Sequence, residues 1–226
     1  MKEPKECSVW LIRPLLICAA LLSAAGCATQ VPVGNDGVLS AKVVRLKGEA
    51  RYKTGNMAWQ GLKAGDLVKP GTIIETAGKS RVDLVLGAGR LSCHSNAEQN
   101  TVRVWENSRL GIDKLTVMKA GADVVTETQL DLQAGHIFGK VRKMSAASRC
   151  EVKIPNAVAS IRGTIYDISV EGLIKVRVGS VFLNYTDPNG KEQKQVIMGS
   201  QVLDPRTGAP TSISDPWRNS PVPRRF

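Results

Sequence analysis

The stretch Ile154–Phe182, IPNAVASIRGTIYDISVEGLIKVRVGSVF, decides the reading of this chain. Pro155-Asn156 opens it with a turn, and a run of small residues leads to Arg162-Gly163-Thr164. Two apolar-alternating segments follow, Ile165–Val170 and Ile174–Val178, parted by Glu171-Gly172. Alternation on either side of a short polar-Gly break is the pattern of a β-hairpin. Side chains alternate across a strand, so Ile174, Val176 and Val178 share one face while Lys175 and Arg177 share the other. Gly179-Ser180 then turns the chain into Val181, Leu183 and Tyr185. The segment therefore predicts a dense β unit with one face for a core and one basic face, on which Arg162, Lys175 and Arg177 are candidate partner contacts.

The same texture extends outward. Val38–Leu46 and Glu49–Lys53 read as strands broken at Lys47-Gly48, and Tyr52 and Trp59 bracket a turn at Thr54-Gly55-Asn56. Trp59, between a turn and a strand, is expected to plug the core. Ile73–Leu86 reads as strand, turn at Ala77–Ser80, strand. Gly87–Asn100 is polar and Gly-rich, then Thr101–Trp105, Leu110–Val117, Val124–Leu132 and Ile137–Val141 continue the strands. Lys140, Arg142, Lys143 and Arg149 form a local basic patch. Leu62-Lys63-Ala64-Gly65 and Leu132-Gln133-Ala134-Gly135 repeat one corner motif, with a fainter copy at Met118–Gly121; the glycine suits a positive φ. Asp187-Pro188-Asn189-Gly190 marks a turn before a returning strand, Lys191–Val202. No window of helical length after residue 27 shows a clean 3.6-residue apolar period. The prediction is an all-β single domain of many short antiparallel strands, a sandwich or an irregular solenoid-like stack, over residues 38–203.

The pattern Ala157-x-Ala159-x-Ile161-Arg162-Gly163-Thr164-x-Tyr166-x-Ile168, followed by a Val-rich strand and Gly179-x-Val181, resembles the signature of the FecR domain family. Earlier pieces agree: Gly48-x-Ala50, Trp59, Leu62–Asp66, Gly71-x-x-Ile74-x-Thr76 and the strand Val82–Leu86. The resemblance spans roughly residues 38–183. It departs in the middle, where Leu86-Gly87-Ala88-Gly89 and an insertion from Cys93 to Asn100 replace a short strand and turn. The resemblance implies an all-β extracytoplasmic module of bacteria, and some of its members convey envelope state to a sigma-factor system.

At the other end, Lys2, Lys5 and Arg13 precede the run PLLICAALLSAAGC. The apolar stretch Pro14–Ala25 is only about 12 residues, short of the ~20 needed to cross a bilayer, as befits a secretory signal peptide. Ala24-Ala25-Gly26-Cys27 resembles a lipobox, with Ala24 where Leu is commoner, so residues 1–26 are predicted to be removed and Cys27 acylated. Ala28 rather than Asp follows, which in similar lipoproteins accompanies outer-membrane placement facing the periplasm or the surface. Residues 27–37 then read as a tether. Residues 204–226 form a Pro-rich tail, with Pro205, Pro210, Pro216, Pro221 and Pro223, expected to be extended or disordered. Trp217 and Phe226 give that tail something to dock with.

The chain of 226 residues carries a formal net charge of +11. Such a balance favours anionic neighbours, either a protein partner or an anionic envelope glycan, and export argues against nucleic acid. With Cys27 acylated, Cys93 and Cys150 remain as a pair in an oxidising compartment, and a disulfide between them is the economical assignment. The alternative is two buried thiols behaving as small hydrophobes.

Catalytic chemistry finds little support. His94 and His136 belong to no zinc-ligand spacing, no G-x-S-x-G elbow or phosphate-binding loop occurs, and the spacing of Asp66, Asp83 and Asp167 gives no reason to pair them. His136 reads as structural. Arg162, Gly163 and Thr164 read as a structural motif, with Gly163 at a tight backbone position and its neighbours tying strands by hydrogen bonds. The sequence thus predicts a non-enzymatic, cofactor-free, lipid-anchored envelope protein that binds a protein or glycan. Its alternatives are an accessory role in envelope signalling through sigma-factor regulation and, with no constellation behind it, an enzyme acting on polysaccharide.

Overall fold

The computed structural model describes residues 36–88, 99–120, 123–187, 190–204 and 210–212. Within them the chain is all β. In order it forms β1 (Asp36–Val38), β2 (Ser40–Lys47), β3 (Ala50–Thr54), β4 (Gln60–Gly61), β5 (Leu67–Val68), β6 (Thr72–Thr76), β7 (Arg81–Ala88) and β8 (Asn100–Val104). The long strands β9 (Arg109–Ala120) and β10 (Asp123–Ala134) follow, then β11 (His136–Lys140), β12 (Arg149–Ile154), β13 (Ala157–Ser169) and β14 (Ile174–Thr186). The last are β15 (Glu192–Met198), β16 (Gln201–Leu203) and β17 (Pro210–Ser212).

The predicted hairpin is the hub. β13 and β14 pair antiparallel from Ala157↔Tyr185 to Ile168↔Ile174. The second half of β13 also pairs with β11, its first half with β12, so the sheet divides there into two arms. One arm runs β11–β8–β7–β2, the other β12–β10–β9. They meet because β1 pairs with β9 while β2, one residue further on, pairs with β7. At the crossing residue the Leu39 amide donates to the Leu115 carbonyl at 2.9 Å. The sheet curls into a closed barrel, where stacked sheets or a solenoid were the expectation. It also contains one parallel pair, β10 with β12, because β11 leaves for the other arm between them.

One apolar cluster fills the interior, including Val82, Val104, Ile137, Tyr166, Ile168 and Ile174. Close packing on this scale is where most of the folding free energy arises, at ~25 cal/mol per Å² of apolar surface removed from water. Gly139 is required by it: a Cβ there would lie 2.2 Å from Cζ of the fully buried Tyr166 ring.

Two expectations are corrected. Trp59 is not a core plug; it is half-buried at the surface, with the Arg51 guanidinium 4.7 Å and the Lys53 ammonium 5.2 Å from its ring centroid. Two cations on its faces keep a Trp at the water boundary. Val178 does not share the inner face of Ile174 and Val176, because the β13–β14 register shifts between Arg162 and Ile165 and turns it outward. Within the segment expected to be extended or disordered, Pro210–Ser212 run extended and pair with β16. Proline at the start of an edge strand loses no ladder bond.

A candidate protein-binding face on β13, β14 and β15

Twin bulges set the geometry of this face. On β13 the inward positions change from Ala159 and Ile161 to Thr164, Tyr166 and Ile168; on β14 they change from Ile174 and Val176 to Val181 and Leu183. Each strand absorbs an extra residue at the same level, which keeps both alternations facing the core. Gly163, at φ +58°, and Gly179, at φ +87°, occupy the two bends. The Thr164 hydroxyl, buried between them, lies 2.8 Å from both the Arg162 and Ser180 carbonyls.

Arg162 is exposed on the outer face and its guanidinium donates to the carbonyls of Ser145 (3.3 Å) and Ala146. It therefore pins the loop between β11 and β12, a structural tie, while the rest of its surface stays open. Lys175 and Arg177 share the outer face but lie on the other side of the bulges. Lys175 stands opposite Asp167, whose carboxyl burial pushes above its usual range against the pull of His136 and Lys175. The three candidate contacts thus fall into two places: Arg162 beside the β14–β15 surface, Lys175 and Arg177 beside a buried polar row.

Apolar side chains that alternation in the sequence did not single out complete the surface beside Arg162. Phe182 of β14 stands directly opposite Val196 of β15, and Ser180 opposite Met198. Phe182, Val196, Met198 and Val178 are 48%, 40%, 59% and 53% exposed. A shallow groove of about 370 Å³, lined in part by Arg149, Glu151, Ser160, Arg162 and Phe182, continues this strip toward β12. Among the described strands β15 pairs with β14 alone, so its other side is an open strand edge along residues 192–197. Exposed apolar side chains beside an open strand edge and an Arg are what a protein partner uses, by strand addition with a side-chain anchor.

Asp83, Arg103 and Asp66 are engaged elsewhere. Asp83 and Arg103 form a bidentate ion pair at 2.6 and 2.9 Å, with side chains 0% and 5% exposed. Arg103 lies over Trp105 at 5.5 Å, and Trp105 stacks on His136 at 5.6 Å. His136 is structural in this sense. Asp66 accepts from the Lys63 amide in a turn, and Asp83 and Asp167 are separated by β8 and β11; the three carboxylates do not converge. Among the described residues no group of His, Cys, Asp and Glu could hold a metal ion, and no helix is long and apolar enough to cross a membrane. Cys150 is buried, and burial pushes its thiol up to about 12. Cys27, Cys93 and His94 lie outside the described residues.

Residues 72–182 match the FecR protein family. Over that span the chain is similar to the FecR protein family. The matched span runs from β6 into β14 and so includes both bulges, Arg162 and Phe182, while β15 lies beyond it. Two crystal structures of candidate anti-sigma factors from Parabacteroides distasonis are also matched. One is 12% identical, with 62% of this chain and 57% of that chain covered and a TM-score of 0.41; the other is 11% identical, with 78% and 58% covered and a TM-score of 0.31. The alignments thus span somewhat under three-fifths of those proteins' length. None of the curated proteins matches this chain.

Proposed function

We propose that this FecR-like domain is a non-catalytic, protein-binding component of envelope signal transduction, acting through the β14–β15 face. The observation that carries the reading is the cross-strand pair Phe182–Val196, exposed together with Met198 and Val178 beside an open strand edge. Exposed apolar side chains lose free energy in water and regain it in an interface, at ~25 cal/mol per Å² buried. Arg162 and the groove beside it supply a polar rim. The FecR family match supports the signalling context. Four exposed apolar side chains beside a single Arg suit a protein partner better than an anionic glycan, whose charges call for clustered cations and hydrogen-bonding side chains.

The placement we propose is extracytoplasmic, with Cys27 acylated and the domain held in the envelope through it; the basic start, the short apolar run and the Gly26-Cys27 junction support this. One acyl chain holds a protein only marginally and several hold it firmly.

Photo-crosslinking from position 198 in intact envelope tests the reading. A discrete protein adduct that Phe182→Asp abolishes, with the melting temperature unchanged, is the expected result. Equal adducts in both proteins, or retention of envelope polysaccharide insensitive to Phe182→Asp, would defeat it. Cys27→Ser is expected to accumulate as a precursor without lipid label, and continued labelling would remove the anchor from the proposal.

A further inference from the structure

A cavity of about 310 Å³ opens at the end of the barrel where β7 finishes and β2, β8, β10 and β12 begin. The loop 141–148, between β11 and β12, contributes its lip. That loop is tied to three strands. The Arg142 amide donates to Asn100 Oδ1 of β8 at 3.0 Å, and the Ser148 hydroxyl accepts from the Thr126 amide of β10 at 3.0 Å. Arg162 of β13 holds the carbonyls of Ser145 and Ala146. The mouth is therefore pre-formed, as small-molecule sites in the mouths of β-barrels are.

Its walls combine three chemistries. Leu39, Leu86 and Leu115 give it an apolar lining, and no aromatic side chain stands among the described lining residues, so an aliphatic body fits it better than a ring. Hydrogen-bond donors are in surplus. Thr128 is 4% exposed and lines the cavity, and its hydroxyl has no hydrogen-bond partner among the described residues. A buried hydroxyl normally has one. Thr126 Oγ1 and Asn100 Nδ2 both donate to the Met144 thioether, at 3.7 and 3.8 Å. Sulfur is a weak acceptor, and an anionic oxygen would take either donor in its place. Charge is the third element. The exposed side chains of Arg142 and Lys143 have no ion-pair partner among the described residues. No carboxylate belongs to the described lining, whereas Glu75, Glu192, Glu171 and Glu151 each line one of four other cavities.

We propose that this mouth binds an acyl anion, a short aliphatic chain carrying a carboxylate or phosphate head. The chain lies against Leu39, Leu86 and Leu115. The head oxygens accept from Thr126, Asn100 and Thr128, and their charge is met by Arg142 and Lys143. The volume sits at the low end of the ~300–1,000 Å³ usual for ligand pockets, so the mouth takes one short chain and not a two-chain lipid. Met144, unbranched and flexible, is the lining residue best able to shift as the head takes over its two donors. The site lies apart from the β14–β15 face, and it stands whether or not that face binds a protein.

The test titrates the full chain with octanoate and with octyl phosphate by calorimetry, with octanol and acetate as controls that lack the charge and the chain. One-site binding of at least one of the two anions is expected, with both controls far weaker, and the tighter anion identifies the head as carboxylate or phosphate. Thr128→Val removes the hydroxyl alone, and Arg142→Gln with Lys143→Gln removes the charge. Each variant is expected to weaken binding roughly tenfold without lowering the melting temperature. An octanoate carrying a diazirine at its chain end is expected to label peptides from β10 or from the loop 141–148. Lack of saturable binding by both anions, octanol binding as tightly as they do, affinity unchanged in either variant, or label confined to β14 and β15 would each overturn the site.

Discussion

Gly163 and Gly179 approach so closely across the paired bulges of β13 and β14 that a methyl group on Gly179 would lie 2.3 Å from the Gly163 carbonyl oxygen. At Gly163 itself an added Cβ meets Lys143 Cγ at 3.2 Å, the middle of a flexible side chain that can swing aside. The two glycines are therefore required for different reasons, Gly179 by backbone contact and positive φ together, Gly163 mainly by φ. Gly163→Ala is expected to cost ~1–2 kcal/mol, and Gly179→Ala roughly 2–5 kcal/mol from strain added to overpacking. Arg162→Ala, which releases only exposed hydrogen bonds to a loop, should stay within ~1 kcal/mol. Thermal melts of the three variants check the order, and equal losses at the two glycines would contradict the backbone contact.

The Asp83–Arg103 pair is buried, so its members depend on each other more than the pair contributes as a whole. Asp83→Leu or Arg103→Met alone leaves one charge without its partner and is expected to cost ~3–5 kcal/mol. The double variant Asp83→Leu with Arg103→Met should lose much less than the two single losses combined. Denaturant unfolding of all four proteins measures the coupling.

Glu75 gives the fold a pH dependence of known sign. Arg109 and Arg51 reach its carboxylate at 2.8 and 2.7 Å and hold its pKa below the usual 4.5. A carboxyl with a lowered folded pKa adds stability above its unfolded value, and that stability disappears as pH falls from about 4.5 through the lowered folded value. Each partly exposed pair is worth ~0.2–1 kcal/mol. Glu75→Gln should therefore melt slightly lower than the parent at pH 7 and converge with it as pH falls from 4.5 through the lowered folded value. A constant difference across that range would assign the loss to packing.

Cys150 tests the redox expectation. Its thiol sits at 2% exposure among core side chains, so it reacts with alkylating reagents only after unfolding or reduction-linked opening. If Cys93 and Cys150 are joined on export, the exported protein alkylated under denaturing conditions without reductant carries no label at either position and gains two after reduction. Label at both before reduction would mean two thiols.

The strand text of Ile154–Phe182 determined the hub of the fold by itself, because alternation along a strand follows from local geometry and needs no knowledge of the rest of the chain. The same holds for the corners at Gly65 and Gly135, both at positive φ as their repeated motif requires, and for Gly163 as a bend. What the sequence could not decide depends on residues distant along the chain. Closure into a barrel hangs on β1 and β2 choosing different neighbours at Leu39, a choice made by packing against β9 and β7. The bulge at Gly179 reversed the alternation and moved Val178 outward, which a strict period of two cannot anticipate. Asp83 and Arg103 each look like ordinary polar positions on an outer face, and only pairing of β7 with β8 sets one against the other. Phe182 read as one more strand hydrophobe until its inward neighbours, Val181 and Leu183, had claimed the core; which side of a strand meets the interior is settled by what the interior already contains.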